Sequence, residues 1–403
     1  GTGKTVTITP SYTGADVSNY SVTDHATVTA NITAKALTVS GITASDKTYD
    51  GNAVATLNTG SVLYSGLING DVFSGTYTGS FNNKNAGTGK TVTITPSYTG
   101  ADVSNYSVTD HSTITADVAV KALTATASTA NKVYDGTTTA TTTLTFTGLV
   151  GSETLGQTVG STFDNKNYGS SKTVTVNSIT LANGSNGGLV ANYSISPGQT
   201  TTAHISKKPL TVSSISASNK TYDGNEIATS SIILSGFVGS ETLTSTNLSS
   251  FNNKNVGTDK TVTVNSITLA DGTNGGLAAN YSISTGQTTT ADVTAKSLTV
   301  SGITASNKTY DANAVATLVS TSVVYTGLVA GDDFTGTYTG VFDNANVGTG
   351  KTVTITPTYN GTDTSNYTVT DQSSTTANII FKTLTATASS SDKTYDATNA
   401  ATT

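Results

Sequence analysis

Side chains that could perform acid–base or nucleophilic chemistry are scarce in this chain. The histidines and glutamates are His25, His111, His204, Glu153, Glu226 and Glu241. A serine–histidine–aspartate site needs all three members in one complete arrangement, and nothing in the sequence singles one out. Because cysteine is absent, thiolate nucleophiles, disulfides, iron–sulfur clusters and thiolate zinc sites are excluded. We therefore expect no enzyme activity, no catalytic residue and no bound cofactor.

One stretch, Gly87-Thr88-Gly89-Lys90-Thr91, looks like a phosphate-binding loop. Such a loop needs a glycine six positions before the lysine and a helix after it. Here that earlier position is Lys84, and residues 92–95 alternate as a strand does. All 19 basic residues are lysines and the net charge is -6, so the arginine forks and positive surface of nucleic-acid binders are missing. We exclude nucleotide and nucleic-acid binding.

Calcium is a further option, because extracellular arrays often use clustered carboxylates to hold it at their joints. The aspartates here are scattered, and Asp332-Asp333 is the one adjacent pair. We expect no carboxylate cluster at the joints and no metal site, and we leave calcium open as the alternative.

A self-formed amide cross-link is another alternative from the chemistry of surface stalks. It would join a lysine of the Lys35, Lys47 or Lys90 type to an asparagine of the Asn105 type, with Asp50 as the buried carboxylate that such a bond needs. Packing explains the recurrence of these lysines more simply.

Tyr-Asp pairs recur at spacings of 85 to 88 residues. We interpret each tyrosine as a core anchor and each aspartate as a hydrogen-bond acceptor in a turn. The pairs are Tyr49-Asp50, Tyr134-Asp135, Tyr222-Asp223, Tyr310-Asp311 and Tyr395-Asp396.

Asn-Tyr pairs recur with the same period, each followed by Ser or Thr. The tripeptide is an acceptor for N-linked sugar, although an asparagine that fits a corner before the tyrosine would leave the same pattern. The asparagines are Asn19, Asn105, Asn192, Asn280 and Asn366.

These pairs are parts of a longer internal repeat. Residues 1–25 recur unchanged as residues 87–111, and a Lys-x-Leu-Thr motif opens each unit. The motif divides the chain into four complete repeats and two terminal pieces, from which we expect a longer natural protein. The repeats are 35–120, 121–207, 208–295 and 296–381, and the pieces are 1–34, the end of one repeat, and 382–403, the start of another. The first and fourth repeats have a short loop before Asn-Tyr, and the second and third have a longer one.

The elements that carry these motifs are predicted to be strands. Threonine, valine, isoleucine and tyrosine dominate, and apolar positions alternate with a period of two. About seven short strands per repeat predict an all-β tandem array of immunoglobulin-like sandwiches.

Consecutive repeats are predicted to join without a linker. The apolar face changes from even to odd positions at Lys35, and no Gly/Ser-rich stretch separates one unit from the next. We therefore expect an elongated, stiff rod.

The combined motifs Lys-x-Leu-Thr, Lys-x-Tyr-Asp-Gly, Asn-Lys-Asn-x-Gly-x-x-Lys-Thr-Val-Thr and Asn-Tyr-Ser resemble the YDG-type repeats of very large bacterial surface proteins, which include filamentous-haemagglutinin-like adhesins. The resemblance covers every repeat and implies a secreted or surface stalk whose adhesive tip lies elsewhere. Ala312 and Ala397 replace the glycine of the motif. We expect from these alanines that the turn does not require positive φ.

The functional hypothesis is an extracellular bacterial stalk that supplies reach and cohesion. Its expected partners are neighbouring repeats of the same chain, with identical chains or surface glycans as further candidates. The alternatives are a glycan- or surface-binding array and a self-associating filament or sheath. No run approaches the roughly 18 apolar residues of a membrane helix, so we expect no membrane insertion by this segment.

Overall fold

The structure, a computed structural model, describes residues 1–400. Strands and five short 3₁₀ turns account for its regular structure, and residues 1–400 contain no α-helix. The predicted all-β class and the tandem arrangement of repeated domains are confirmed. Within the same residues, no helix has the length and apolarity needed to cross a bilayer.

The chain forms two compact units, Gly1–Ser206 and a second unit that begins at Lys207. The strands of the first unit up to the end of the first complete repeat are β1 (Lys4–Thr7), β2 (Thr27–Ala30), β3 (Lys35–Ser40), β4 (Thr43–Ala44), β5 (Lys47–Thr48), β6 (Val54–Ala55), β7 (Leu57–Asn58), β8 (Leu63–Ser65), β9 (Ser74–Phe81), β10 (Gly87–Thr99), β11 (Tyr106–Thr109) and β12 (Thr113–Ala119).

The second repeat completes the first unit. Its strands are β13 (Lys121–Ala122), β14 (Thr124–Thr129), β15 (Lys132–Val133), β16 (Thr139–Ala140), β17 (Thr142–Thr147), β18 (Leu155–Phe163), β19 (Gly169–Asn183), β20 (Tyr193–Ser194) and β21 (Thr200–Ser206).

The second unit contains the third and fourth repeats. The strands of the third are β22 (Lys208–Ala217), β23 (Lys220–Thr221), β24 (Ile227–Ala228), β25 (Ser230–Ser235), β26 (Leu243–Phe251), β27 (Gly257–Asp271), β28 (Tyr281–Ile283) and β29 (Thr288–Thr294). Those of the fourth are β30 (Lys296–Ser301), β31 (Thr304–Ala305), β32 (Lys308–Thr309), β33 (Val315–Ala316), β34 (Leu318–Val319), β35 (Val324–Thr326), β36 (Thr335–Phe342), β37 (Gly348–Asn360), β38 (Tyr367–Thr370) and β39 (Ser374–Ile380).

Every complete repeat is built on one five-stranded sheet, which in the first repeat has the order β5-β12-β10-β9-β6. A smaller sheet, β11-β3-β8, packs on it, and Val39 of the small sheet shares an apolar cluster with Ile94 of the large one. The register of β3 and β11 is parallel, with Lys35 opposite Tyr106. Two packed sheets are compatible with the predicted sandwich.

The 3₁₀ turns lie directly before the Asn-Tyr tyrosine of each repeat and fix its position. They are Val17–Asn19, Val103–Asn105, Val190–Asn192, Ala278–Asn280 and Thr364–Asn366.

The segment that looked like a phosphate loop is a β-bulge in the central strand. The register of β10 and β12 shifts between Gly87 and Lys90, and Gly89 has a φ of 57°. The bulge turns Lys90 inward, where its Nζ donates to Asn83 Oδ1 at 2.6 Å. The glycines therefore serve strand geometry.

The terminal pieces are much less structured than the repeats. Residues 1–34 form one exposed hairpin, β1 with β2, and residues 382–400 form no strand. Residues 401–403, the end of the last predicted piece, lie outside the described residues.

Candidate functional site: the joint between repeats

The site in which the recurring motifs meet is the joint between consecutive repeats. The strand β12 ends at Ala119 and β13 begins at Lys121, so Val120 alone separates the first and second repeats. In the second unit, Ala295 alone separates β29 from β30. Neither joint has a flexible linker.

Tyr49 stands directly after β5, at the end of the first repeat that faces the second. Its backbone N–H donates to Ala119 O at 2.9 Å, which ties it to the last strand of its repeat. Its ring is only 1% exposed and belongs to an apolar core that also contains Leu123 and Tyr193 of the second repeat. Tyr49 therefore anchors a core that two repeats share.

The turn after Tyr49 is organised around a lysine. Lys47 Nζ donates to Asp50 Oδ1 at 2.7 Å and to Asn52 O at 2.9 Å, and it lies 5.6 Å from the centroid of the Phe81 ring. Asp50 Oδ1 also accepts from the Asn52 backbone N–H at 3.1 Å. These contacts hold the Tyr-Asp-Gly segment in one conformation.

The conformation of this turn corrects one expectation. Gly51 has a φ of 83°, and the alanines that replace it keep the left-handed conformation, with φ of 63° at Ala312 and 64° at Ala397. The expectation that the turn does not require positive φ is therefore wrong. Alanine costs about 1 kcal/mol there, which the surrounding hydrogen bonds can offset.

Gly51 also permits close approach of the next repeat. A Cβ at Gly51 would lie 2.6 Å from Val150 Cγ1, well inside van der Waals contact. The equivalent Cβ at Gly224 would lie 2.7 Å from Val329 Cγ1. The glycine of the motif thus has a packing role at the joint that its turn geometry alone does not reveal.

The centre of the joint is the buried carboxylate of Glu153. It receives the hydroxyl of Tyr49 on Oε1 at 2.6 Å and the hydroxyl of Tyr193 on Oε2 at 2.7 Å. Lys84 of the first repeat donates to Oε1 at 3.1 Å. The Tyr193 hydroxyl in turn accepts the Val150 backbone N–H at 2.9 Å. All three donors to Glu153 are thus specified, and two of them come from the other repeat.

These partners keep Glu153 ionised although it is only 6% exposed. Burial raises the pKa of its carboxyl, but the hydrogen bonds from Tyr49, Tyr193 and Lys84 outweigh burial and hold the pKa below its ordinary value. The same arrangement raises the pKa of Tyr193 to about 12, chiefly through burial. The joint is therefore built for a charged acid and neutral tyrosines.

Aromatic contacts surround this centre. The rings of Tyr49 and Tyr193 pack edge to face with centroids 5.4 Å apart, and Lys84 Nζ lies 6.0 Å from the Tyr49 centroid. Such pairs add roughly 0.5–1.5 kcal/mol beyond the area that they bury.

Asn192 forms a second clasp across the same joint. Its Oδ1 accepts the Ala86 backbone N–H at 2.9 Å, and its Nδ2 donates to Asn85 Oδ1 at 3.2 Å. The side chain is completely buried. A sugar on Nδ2 of Asn192 would have to displace this clasp.

The joint between the third and fourth repeats has the same arrangement, with Asp332 in the place of Glu153. Asp332 Oδ2 accepts from Tyr222 at 2.8 Å and from Tyr367 at 2.5 Å. Lys254 lies 3.0 Å from Asp332 Oδ1 and 3.0 Å from Asp363 Oδ1, so two carboxylates share one lysine. Asn366 reproduces the clasp, accepting from Val256 N at 2.9 Å.

The other tyrosines of the motif differ in burial, so the interpretation as core anchors fits Tyr134 and Tyr222 but not Tyr310 and Tyr395. Tyr134 and Tyr222 are 1% exposed, Tyr310 is 38% exposed and Tyr395 is 92% exposed. The aspartates of the motif pair with the lysine three positions earlier at 2.7 or 2.8 Å; they are Asp50, Asp135, Asp223, Asp311 and Asp396.

The asparagines predicted as sugar acceptors fall into two groups. Asn192, Asn280 and Asn366 are buried, whereas Asn19 and Asn105 are exposed. Glycosylation stays a prediction that fits the exposed pair.

The alternatives for metal and covalent chemistry gain no geometric support. Among residues 1–400, no three His, Asp or Glu side chains converge as a metal site. Asp332 is engaged by tyrosines and Lys254, and Asp333 Oδ2 accepts the Thr362 backbone N–H at 3.0 Å. The amide cross-link hypothesis joins Lys90 to an asparagine of the Asn105 type. In the structure, Lys90 Nζ instead donates to Asn83 Oδ1.

Sequence reasoning missed the acidic residue of the joint. A carboxylate lies at one fixed place of every complete repeat, three residues after an isoleucine or valine whose carbonyl accepts its backbone N–H. The four are Asp71, Glu153, Glu241 and Asp332. The residue is aspartate in the first and fourth repeats and glutamate in the second and third, so a search for one residue type does not find the recurrence.

Comparison with known proteins agrees with this repeat pattern. The family model described as YDG domain matches residues 33–116, 119–203, 206–291 and 294–377. No curated protein matches the sequence. Among solved structures, the chain is similar to one described as the crystal structure of Drosophila N-cadherin EC1-4, at 10% identity and a TM-score of 0.23, over 83% of this chain and 90% of that chain. The four matched segments cover most of the sequence, and the chain belongs to the YDG domain family.

Proposed function

We propose that these YDG repeats form the stalk of a bacterial surface or secreted protein and that their function is mechanical. The observation that carries the proposal is the shared core at the joint, in which Tyr49 of one repeat is buried against Glu153 and Tyr193 of the next. We propose no catalytic role for the chain.

The physical argument concerns bending at the joint. Displacing the second repeat from the first would expose Tyr49 and leave Glu153 without its cross-repeat partners, Tyr49 and Lys84. A buried carboxylate that loses its donors costs several kcal/mol, so the packed arrangement of the two described joints is favoured. Neighbouring repeats coupled in this way behave as a one-dimensional array.

Composition and resemblance support the extracellular part of the proposal. The chain has no Cys, Met or Trp, the side chains most readily oxidised outside the cell. The motif resemblance points to large bacterial adhesins, with any adhesive tip in another segment. Neighbouring repeats are the proposed partners of each repeat.

The aromatic side chains favour this stalk over a glycan-binding array. In the first repeat, Tyr64 and Tyr98 pack against Phe73 with centroids 5.2 and 5.1 Å away. These half-buried rings pack on one another within the repeat, as side chains of a core do.

Small-angle scattering of the full chain tests the mechanical proposal. We expect the four complete repeats to extend on the order of 140–160 Å, from strands of about ten residues in each repeat. A compact particle of this mass would overturn the stalk.

The extracellular location is tested separately on intact cells that express the parent protein. Antibodies raised against residues 121–207 should label the surface, and external protease should remove the label. Labelling that appears only after lysis would contradict the location and leave the mechanical result unaffected.

A further inference from the structure

The face of the fourth repeat that corresponds to the Tyr49 side of the first repeat differs from the two joint faces described above. We call it the repeat 4 face and define it by Tyr310, Ala312, Ala345, Asn346 and Val347. It keeps the tyrosine and the asparagine of a joint face but has alanine at two positions where the first and third repeats have glycine and lysine.

The first change places a methyl group where the next repeat packs. A Cβ at Gly51 or Gly224 would lie 2.6 or 2.7 Å from a valine Cγ1 of the following repeat. Ala312 has the same left-handed backbone and carries that Cβ. The valine of a following repeat must therefore rotate away from this contact, or the repeat must stand farther off, because a real Cβ does not approach a methyl carbon so closely.

The second change removes the cation. Lys84 and Lys254 each donate across a joint to the buried acid of the next repeat, and Ala345 has no donor to offer. An acid that faces Tyr310 without the lysine keeps the tyrosine hydrogen bond and loses its ion pair. Burial of that acid is then less well compensated.

The features that remain identify the occupant of this face. Tyr310 Oη can still serve an acidic acceptor, and Asn346 and Val347 match Asn255 and Val256, the pair that meets Asn366 at the joint between the third and fourth repeats. The chemistry is therefore that of a YDG repeat that follows in the same chain.

We propose that the repeat 4 face forms a looser joint with a following YDG repeat than the faces of the first and third repeats form with theirs. Ala312 and Ala345 are the residues that set this difference. The inference goes beyond the stalk function, since it makes one joint of the array more compliant than others, and it does not depend on where the protein is located.

The direct test uses a longer chain in which a second copy of residues 121–207 follows residue 381. Because the protein has no cysteine, two introduced cysteines are unique sites for spin labels. One replaces exposed Thr339 and the other replaces exposed Thr158 in the added copy. We expect a broad distance distribution, and we expect Ala312→Gly with Ala345→Lys to narrow it. Equal widths with and without these two substitutions would overturn the proposal.

The reciprocal test uses the natural chain with labels at Thr78 and Thr158, which span the first joint. Gly51→Ala with Lys84→Ala should broaden this distance distribution. Its width should then match that of the longer chain in which Ala312 and Ala345 are unchanged. Labels at Thr246 and Thr339, across the joint between the third and fourth repeats, provide the control and should keep their width. An unchanged width at the first joint would show that these two positions do not set its stiffness.

Folding of the variants is checked independently by the far-ultraviolet circular dichroism of each chain. A variant that loses strand signal is replaced by the single substitution Lys84→Ala, which leaves the turn intact and should broaden the first joint by itself. A normal width in that single variant, with normal strand signal, would also count against the role of the cation.

Discussion

The hydroxyl of Tyr49 donates to Glu153 Oε1 at 2.6 Å although the two residues are 104 positions apart in the chain. One belongs to the motif that names the family, and the other lies in a loop of the next repeat. Their contact converts a local turn motif into a connection between domains.

Removing the hydroxyl should weaken the first joint selectively. Tyr49→Phe keeps the buried ring and removes one hydrogen bond to a charged acceptor, at a cost of about 1–3 kcal/mol. Hydrogen exchange should quicken at the amides of Ala86 and Val150, which donate across the joint and to Tyr193, respectively. The matched control is Tyr310→Phe, at a tyrosine that is 38% exposed, and it should leave these two amides unchanged. Equal effects of both variants would contradict the role of Tyr49.

Acid should open the joints before it unfolds the repeats. The pKa of Glu153 and of Asp332 is lowered in the folded chain, because the hydrogen bonds from tyrosine and lysine outweigh the effect of burial. A lowered pKa contributes stability that is present above the unfolded value of about 4 and is lost as the pH falls through the folded value. The distribution of distances between spin labels at Thr78 and Thr158 should therefore broaden below about pH 4.

The acid prediction has an internal control in Glu153→Gln. This variant has no titrating carboxyl at the first joint, so the width there should become independent of pH while the joint at Asp332 still responds. A first joint that opens at the same pH in both proteins would show that another group is responsible.

Alkaline conditions should open the joints through the tyrosines. The pKa of Tyr193 and of Tyr367 is raised to about 12, with burial as the largest cause. A raised pKa contributes stability that is present below the unfolded value of about 10 and is lost as the pH rises through the folded value. Absorbance titration should resolve a late class of tyrosines, and Glu153→Gln should shift part of that class to lower pH. Complete titration of all tyrosines near pH 10 would be inconsistent with buried joints.

Chelation should leave the protein unchanged. The joint carboxylates accept hydrogen bonds from tyrosine hydroxyls and lysine. Lys254 lies between Asp332 and Asp363, and its ammonium group balances their charge in the place where a metal cation would otherwise be needed. We expect the same melting temperature and the same Thr246–Thr339 label distance with and without a calcium chelator. A fall of many degrees would reveal a calcium site and remove the lysine from its assigned role.

The Asn-Tyr asparagines should differ in modification. Asn192 and Asn366 are buried in clasps across joints, whereas Asn19 and Asn105 are exposed. If the parent cell attaches N-linked sugar, peptide mapping should find it at the exposed sites and not at the buried ones. Sugar on Asn192 in folded protein would contradict the clasp.

The sequence predicted the strands well because each lies on a pattern that local chemistry determines. The alternation in residues 91–95 marks the central strand, although β10 is longer at both ends, from Gly87 to Thr99. Its extension begins in the bulge, where glycine and threonine carry no hydrophobic pattern. The strand β5 was not predicted, since two residues are too few to show a period.

The joint could be predicted only in part, because its cross-repeat hydrogen bonds connect residues 69 to 111 positions apart in the chain. The recurrence of Tyr49 and Asn192 is visible in the sequence, but nothing local indicates that they face the next repeat or the previous one. Glu153 was considered only as a catalytic candidate, because its partners Tyr49 and Lys84 lie in another repeat and no local pattern connects them to it. The structure supplies the missing information, which is the face of each repeat that contacts its neighbour.

The donor–acceptor direction of the joint has a consequence for biosynthesis. In both described joints, the tyrosine that donates across the joint, Tyr49 or Tyr222, comes from the earlier repeat and the buried acid from the later one. A growing chain emerges with its amino end first, so each newly folded repeat presents an uncovered tyrosine until its successor is made. The most recently completed domain is thus always the least protected, and elongation itself covers it. Chaperones or proteases that bind a nascent array should therefore act at the repeat that was synthesised last.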